Sequence, residues 1–156
     1  MRINNWLYKI CRLGLGAVFI YAGSVKLLEP KMFALLIDAY GVVPESLLMP
    51  LAIALPVLEV VAGIGLLFDI EGSLSVVTGL LVLFVAVLSY GVWMGLDVDC
   101  GCFDPENFQV AGALHGLRSS LYRDSVMLAG TVFMYTWRRY RSIQPVRITQ
   151  LMKRRR

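Results

Sequence analysis

Apolar residues along this chain do not alternate with polar ones. They arrive in long blocks separated by short polar breaks. Residues 13–28 carry a single charge, Lys26; residues 47–68 carry one, Glu59; residues 74–96 carry none. A helix rises about 1.5 Å per residue, so roughly 20 apolar residues cross the ~30 Å hydrocarbon core of a bilayer. The second and third blocks meet that length. The first is preceded by Trp6 and Tyr8, side chains suited to the headgroup zone. A fourth, weaker block covers 121–137, with Arg123 and Asp124 in its first turns. Residues 29–45 are bracketed by Pro30 and Pro44 and hold Met32, Phe33, Leu35, Leu36, Ile37 and Tyr40. That stretch is too short to span and too apolar for a free loop, so it predicts a short helix lying in the interface. Residues 69–73 read as a tight polar turn and 97–120 as a polar, glycine-containing loop. The expected fold is all-α: a polytopic membrane four-helix bundle over residues 1–140, with a short interfacial helix between spans one and two and a basic tail over 141–156.

Composition excludes a water-soluble domain. The chain is 58% hydrophobic and 17% charged, with a mean hydropathy of +0.68. Soluble domains lie nearer half apolar and a quarter charged. Charge then sets direction. Arg2, Lys9 and Arg12 stand before the first block, and residues 138–156 hold eight more bases; all 11 acids lie between those two segments. Basic ends on an apolar chain predict that both termini are cytoplasmic, as an even number of crossings requires. The tail meets anionic lipid headgroups rather than nucleic acid in this reading. The opening segment has the basic-then-apolar look of a signal peptide, but Tyr21 fits the Tyr21-Ala22-Gly23 cleavage position poorly and the apolar run continues to Leu28, which favours an uncleaved first helix. The 97–120 loop then faces outward, toward the periplasm if the bilayer is a bacterial inner membrane.

That topology gives the cysteines their meaning. Cys100 and Cys102, separated by Gly101, fall on the oxidising side, while Cys11 falls on the other and serves packing. Two thiols one residue apart can close a small, strained disulfide, and strain makes a disulfide easier to reduce. Asp97, Asp99 and Asp104 raise the thiol pKa values unless Arg118, Arg123 or His115 folds over the pair. A static loop staple is the competing role. A metal centre is disfavoured, because one histidine and no second cysteine pair leave the ligand set short. Glu59 is a carboxylate in mid-span, a costly feature that marks a functional candidate. Helical depth puts Lys26 about 6 Å from its level, within lysine reach, so an ion pair between spans one and two and a proton-handling role are both open. Arg123, beside Asp124, is a candidate to anchor the cysteine loop, stabilise a thiolate or bind a quinone carbonyl; an interfacial anchor is the plainer role. Tyr21, Tyr90, Trp93 and Phe103 are further candidates for an aromatic site or for belt residues. Gly14, Gly16, Gly23, Gly63, Gly65 and Gly79 are expected to allow close helix packing.

Several segments together resemble the MauE/DoxX group of small four-helix membrane proteins. They are Arg12-Leu13-Gly14-Leu15-Gly16, Tyr21-Ala22-Gly23-Ser24-Val25-Lys26-Leu27 with Pro30, Leu55-Pro56-Val57-Leu58-Glu59, Asp99-Cys100-Gly101-Cys102-Phe103 and Arg123-Asp124. One departure is visible, Asp104-Pro105 where the family usually has glycine. The resemblance implies a redox-associated role, with Cys100 and Cys102 as the redox pair and Lys26, Glu59, Arg123 and Asp124 as polar positions in the bundle core. It also implies a link to disulfide formation in methylamine dehydrogenase, or to quinone-coupled oxidation as in the DoxX relatives. The expectation is therefore a membrane thiol–disulfide oxidoreductase exchanging with a periplasmic thioredoxin-like or substrate protein, with quinone as electron acceptor. A non-catalytic membrane anchor and a small transporter using Glu59 and Lys26 are the alternatives.

Overall fold

The computed structural model describes residues 3–95 and 113–141, with side chains over 6–95 and 119–140. Within them the chain is all-helical: α1 (Ile3–Leu28), α2 (Pro30–Ala39), α3 (Glu45–Leu67), α4 (Ser73–Met94) and α5 (Ala113–Arg141). Among the described residues, three helical stretches are long and apolar enough to cross a bilayer: Trp6–Leu28, Glu45–Leu67 and Ser73–Met94, with mean hydropathies of 1.4, 2.3 and 2.3. The fourth long helix, α5, spans 29 residues but is more polar along its length.

The ends of the elements follow from local chemistry. Pro30 opens α2 at a position where the missing N–H costs nothing. Gly72 and Gly95 flank α4 in the left-handed region, at φ 94° and 68°, which ends the neighbouring helices without a Cβ clash. Asp69, in the turn between α3 and α4, also adopts a left-handed φ of 56°, a conformation that Asp tolerates better than most side chains.

The four long helices close a ring in the order α1, α3, α4, α5, and α2 folds back onto α3 and α1. Glycines set the α1–α3 approach. A Cβ on Gly63 would lie 2.9 Å from the Gly16 carbonyl oxygen, and one on Gly23 would lie 2.8 Å from that of Pro56. Gly65 is similarly crowded by Ser73, whereas Gly14 and Gly79 face open space and do not serve packing. The core runs through Leu15, Phe19, Leu66, Leu74, Val77, Leu81 and Met134, with Cys11 packed at its edge. On α5 the buried positions Ser120, Asp124, Thr131 and Met134 recur at helical spacing, which gives this more polar helix one face for the bundle.

The structure corrects three expectations. The first helix begins well before residue 13, at Ile3. Tyr8 is buried rather than set in a headgroup belt; its hydroxyl donates to Asp69 Oδ1 at 3.1 Å. The expected 97–120 loop is shorter than the sequence suggested, because α5 begins at Ala113 and takes His115 and Arg118 into its first turns.

Candidate functional site

The bundle has two polar foci, one toward each end. At the first, Asp69 gathers three elements. Tyr8 and Arg12 reach it from α1 and Arg138 from α5; Arg12 Nη1 lies 3.2 Å from Oδ2, and Arg138 Nη2 pairs with Oδ1. Arg138 Nε also donates to the Tyr8 hydroxyl at 2.9 Å. The start of α1, the α3–α4 turn and the end of α5 therefore meet at one end of the bundle. The sequence reading passed over this cluster because Asp69 looked like an ordinary turn acid. The available signal was its position: an acid facing the end of the chain where the bases collect.

The second focus lies in the half of the bundle away from Asp69. Lys26 Nζ, from the last turn of α1, sits 2.6 Å from Glu59 Oε1 on α3, and the two side chains are 5% and 1% exposed. Phe33 of α2 and Phe84 of α4 face the ammonium at 5.1 and 4.5 Å from their ring centroids. Cation–π contacts of this kind contribute about 0.5–2 kcal/mol each, the larger values where water is excluded. Asp124, buried on α5, pairs with its neighbour Arg123 at 3.2 Å and lies close enough to Lys26 to feel its charge. All five helices thus contribute to one cluster of two cations, two carboxylates and two phenyl rings. The depth estimate from sequence found the Lys26–Glu59 contact. It could not find the aromatic cage, which depends on α2 folding back, or the approach of Asp124.

Beside this cluster is a cavity of about 670 Å³. Lys26, Glu59, Arg123 and Asp124 form its charged wall; the rest is largely apolar, from residues such as Phe19, Leu36, Leu55 and Leu88. Tyr90 lines the cavity, whereas Trp93 and Tyr21 point away and are exposed. Arg123 and Asp124 stand in the third turn of α5, about 15 Å along the helix from Ala113, deeper than a reading that started the helix at 121 allowed. Cys100, Cys102 and Phe103 lie outside the described residues, in the segment that joins α4 to α5. Cys11 is a free, half-buried thiol in the half of α1 nearer Asp69. Among the described residues no cluster of His, Cys, Asp and Glu has the makings of a metal centre.

Apolar helices of spanning length, glycine contacts that bring α1 against α3 and a charged cluster buried beside a largely apolar cavity define a polytopic helical membrane protein. The model of the family described as methylamine utilisation protein MauE matches residues 4–137, and the chain belongs to that family. No curated protein and no solved structure matches it.

Proposed function

We propose that this MauE-type protein is a membrane-embedded thiol–disulfide redox protein in which Cys100 and Cys102 are the exchanging pair. In this reading α5 is the fourth crossing, residues 1–140 form one domain, and both basic ends and the 141–156 tail lie in the cytoplasm of a bacterium. The segment 96–112 then faces the periplasm across the inner membrane, where its partner is a thioredoxin-like or substrate protein. The family's description points to methylamine utilisation, and maturation of methylamine dehydrogenase disulfides is the setting inferred here.

The observation that carries the proposal is the polarity of the bundle. The start of α1 and the end of α5 meet at Asp69, and the charged cavity occupies the opposite half, toward which α4 runs before the Cys100-Gly101-Cys102 segment begins. Cys100 lies five positions beyond Gly95, a reach of no more than about 18 Å.

The chemistry balances without a second cysteine pair on this chain. A thiolate of the partner attacks one sulfur of the Cys100–Cys102 disulfide and releases the other as a thiol. The partner's second thiol then resolves the mixed disulfide. The partner leaves oxidised, and Cys100 and Cys102 have gained two electrons and two protons. A bound quinone would supply the two-electron, two-proton sink needed to restore the disulfide. The residues that fit such a group are Lys26 and Arg123, as donors to its oxygens at the cavity wall. Lys26 carries exchangeable protons beside them, and the Glu59 and Asp124 carboxylates can accept one.

The test is the reduction potential of the pair, measured by thiol alkylation of membranes equilibrated in redox buffers. A midpoint well above about −300 mV supports exchange, since structural disulfides fall below that value. A pair that stays oxidised at that potential is a staple, and the proposal fails.

A further inference from the structure

The cavity is lined by residues of all five helices and opens to one side past Leu83, Val87 and Tyr90; among the described residues its charged groups form one cluster. Its volume of about 670 Å³ lies within the roughly 300–1,000 Å³ range of small-molecule sites. The chemistry of the wall narrows what fits. Lys26 and Glu59 are 5% and 1% exposed and bonded to each other at 2.6 Å, and Arg123 is paired with Asp124 at 3.2 Å. Among the described residues the two cations and two carboxylates balance in charge. An anionic head would add an uncompensated negative charge to a low-dielectric site, and a cationic head an uncompensated positive one, each at a cost of several kcal/mol. A neutral head avoids both penalties. Lys26 and Arg123 are donors, so the head should carry acceptor oxygens. Phe33 and Phe84 flank the ammonium at 5.1 and 4.5 Å and present flat apolar surface beside it. The remaining walls are largely hydrocarbon, matching a tail.

We infer that this cavity binds a membrane-soluble quinone, its neutral, carbonyl-bearing head against Lys26 and Arg123 and its apolar tail along the remaining walls. The choice of quinone among neutral carbonyl heads rests on the redox function proposed above, which needs a two-electron, two-proton acceptor. The placement rests on the cavity alone. It differs from a site at the mouth of the bundle, because the polar wall includes Lys26 and Glu59, which are held together by side chains from four helices.

The experiment is a binding measurement, with no turnover. The full chain carrying Cys100→Ser and Cys102→Ser is reconstituted in lipid nanodiscs and titrated with decylubiquinone, with palmitate and decanol as controls. The expected result is saturable binding of decylubiquinone, weakened at least tenfold by Ala86→Trp, which fills the cavity. Lys26→Met/Glu59→Leu, which removes the buried pair together, should weaken it similarly, with Arg123→Gln between these and the parent. Thermal unfolding of each variant reports whether it is folded; if one is not, the other carries the comparison. Partition without saturation, or affinity unchanged in the folded variants, overturns the inference. Palmitate binding as tight as decylubiquinone and lost in the same variants also overturns it, by making the cavity an acyl-chain site. Because both cysteines are absent, failure here leaves thiol exchange standing, and failure of the redox titration leaves the cavity result standing.

Discussion

Removing the carboxylate at Glu59 should be among the most damaging single changes in the described helices. In the Glu59→Leu variant, the Lys26 ammonium keeps Phe33 and Phe84 but loses the oxygen 2.6 Å away, inside a wall where its own side chain is 5% exposed. Breaking one side of a buried pair costs about 3–5 kcal/mol, because the remaining charge is left uncompensated. The two rings offset part of that, about 1–2 kcal/mol together, and the nearby Asp124 offsets a little more, so a net loss of about 1–3 kcal/mol is expected. Glu59→Gln keeps an acceptor and should fall at the lower end. Removing both charges together, in Lys26→Met/Glu59→Leu, should return stability to within about 1–2 kcal/mol of the parent, since a buried pair replaced by apolar side chains of similar volume is often neutral. The assay is equilibrium unfolding in bicelles arranged as a double-mutant cycle, with a coupling energy of about 2 kcal/mol or more as the expected outcome. Single variants within about 0.5 kcal/mol of the parent, or a cycle with no coupling, would refute the reasoning.

Other consequences can be checked alongside it. Asp69→Asn keeps a side chain that tolerates the left-handed turn but removes the charge that Arg12 and Arg138 share; a loss of about 1.5–3 kcal/mol in the same unfolding assay is expected. Gly63→Val puts a side chain against the Gly16 backbone and should cost about 1–3 kcal/mol, whereas Gly79→Ala meets open space and should gain about 0.5–1 kcal/mol from helix propensity. For topology, Glu71→Cys and Val98→Cys, each in a background lacking the native cysteines, should be labelled from opposite faces of sealed vesicles by a membrane-impermeant maleimide. Labelling from the same face would remove the orientation on which the redox proposal depends.

The helices were legible where the physics is one-dimensional. Apolar runs long enough to cross a bilayer located α3 and α4 to within a residue or two at each end, and Pro30 and the apolar run after it signalled α2. The start of α5 was not legible, because Ala113 to Ser120, with His115, Gly116, Arg118 and two serines, is too polar to stand out from the preceding loop by composition; Ser120 and Asp124 turn out to lie on the face that packs into the bundle. The same contrast holds at the site. Lys26 and Glu59 sit on two long helices, so rise per residue sufficed to bring them level. The cage around them needs α2 folded back onto α3, and the Asp69 cluster needs both ends of the chain brought together. Those are packing outcomes that no local pattern encodes. Tyr8 shows the limit most plainly: an aromatic near the end of a span reads as a belt residue until the carboxylate it bonds, 61 positions away, is brought beside it.

The central claim, that Cys100 and Cys102 exchange disulfides with a protein outside the membrane, is tested most directly by trapping. Cells expressing Cys100→Ser or Cys102→Ser are quenched in acid, and the protein is isolated under non-reducing conditions. The account predicts that at least one variant carries a thiol-reversible adduct to a periplasmic protein, absent from the double variant. Both variants remaining free of any covalent partner would contradict it and leave the cysteines a structural feature of the loop.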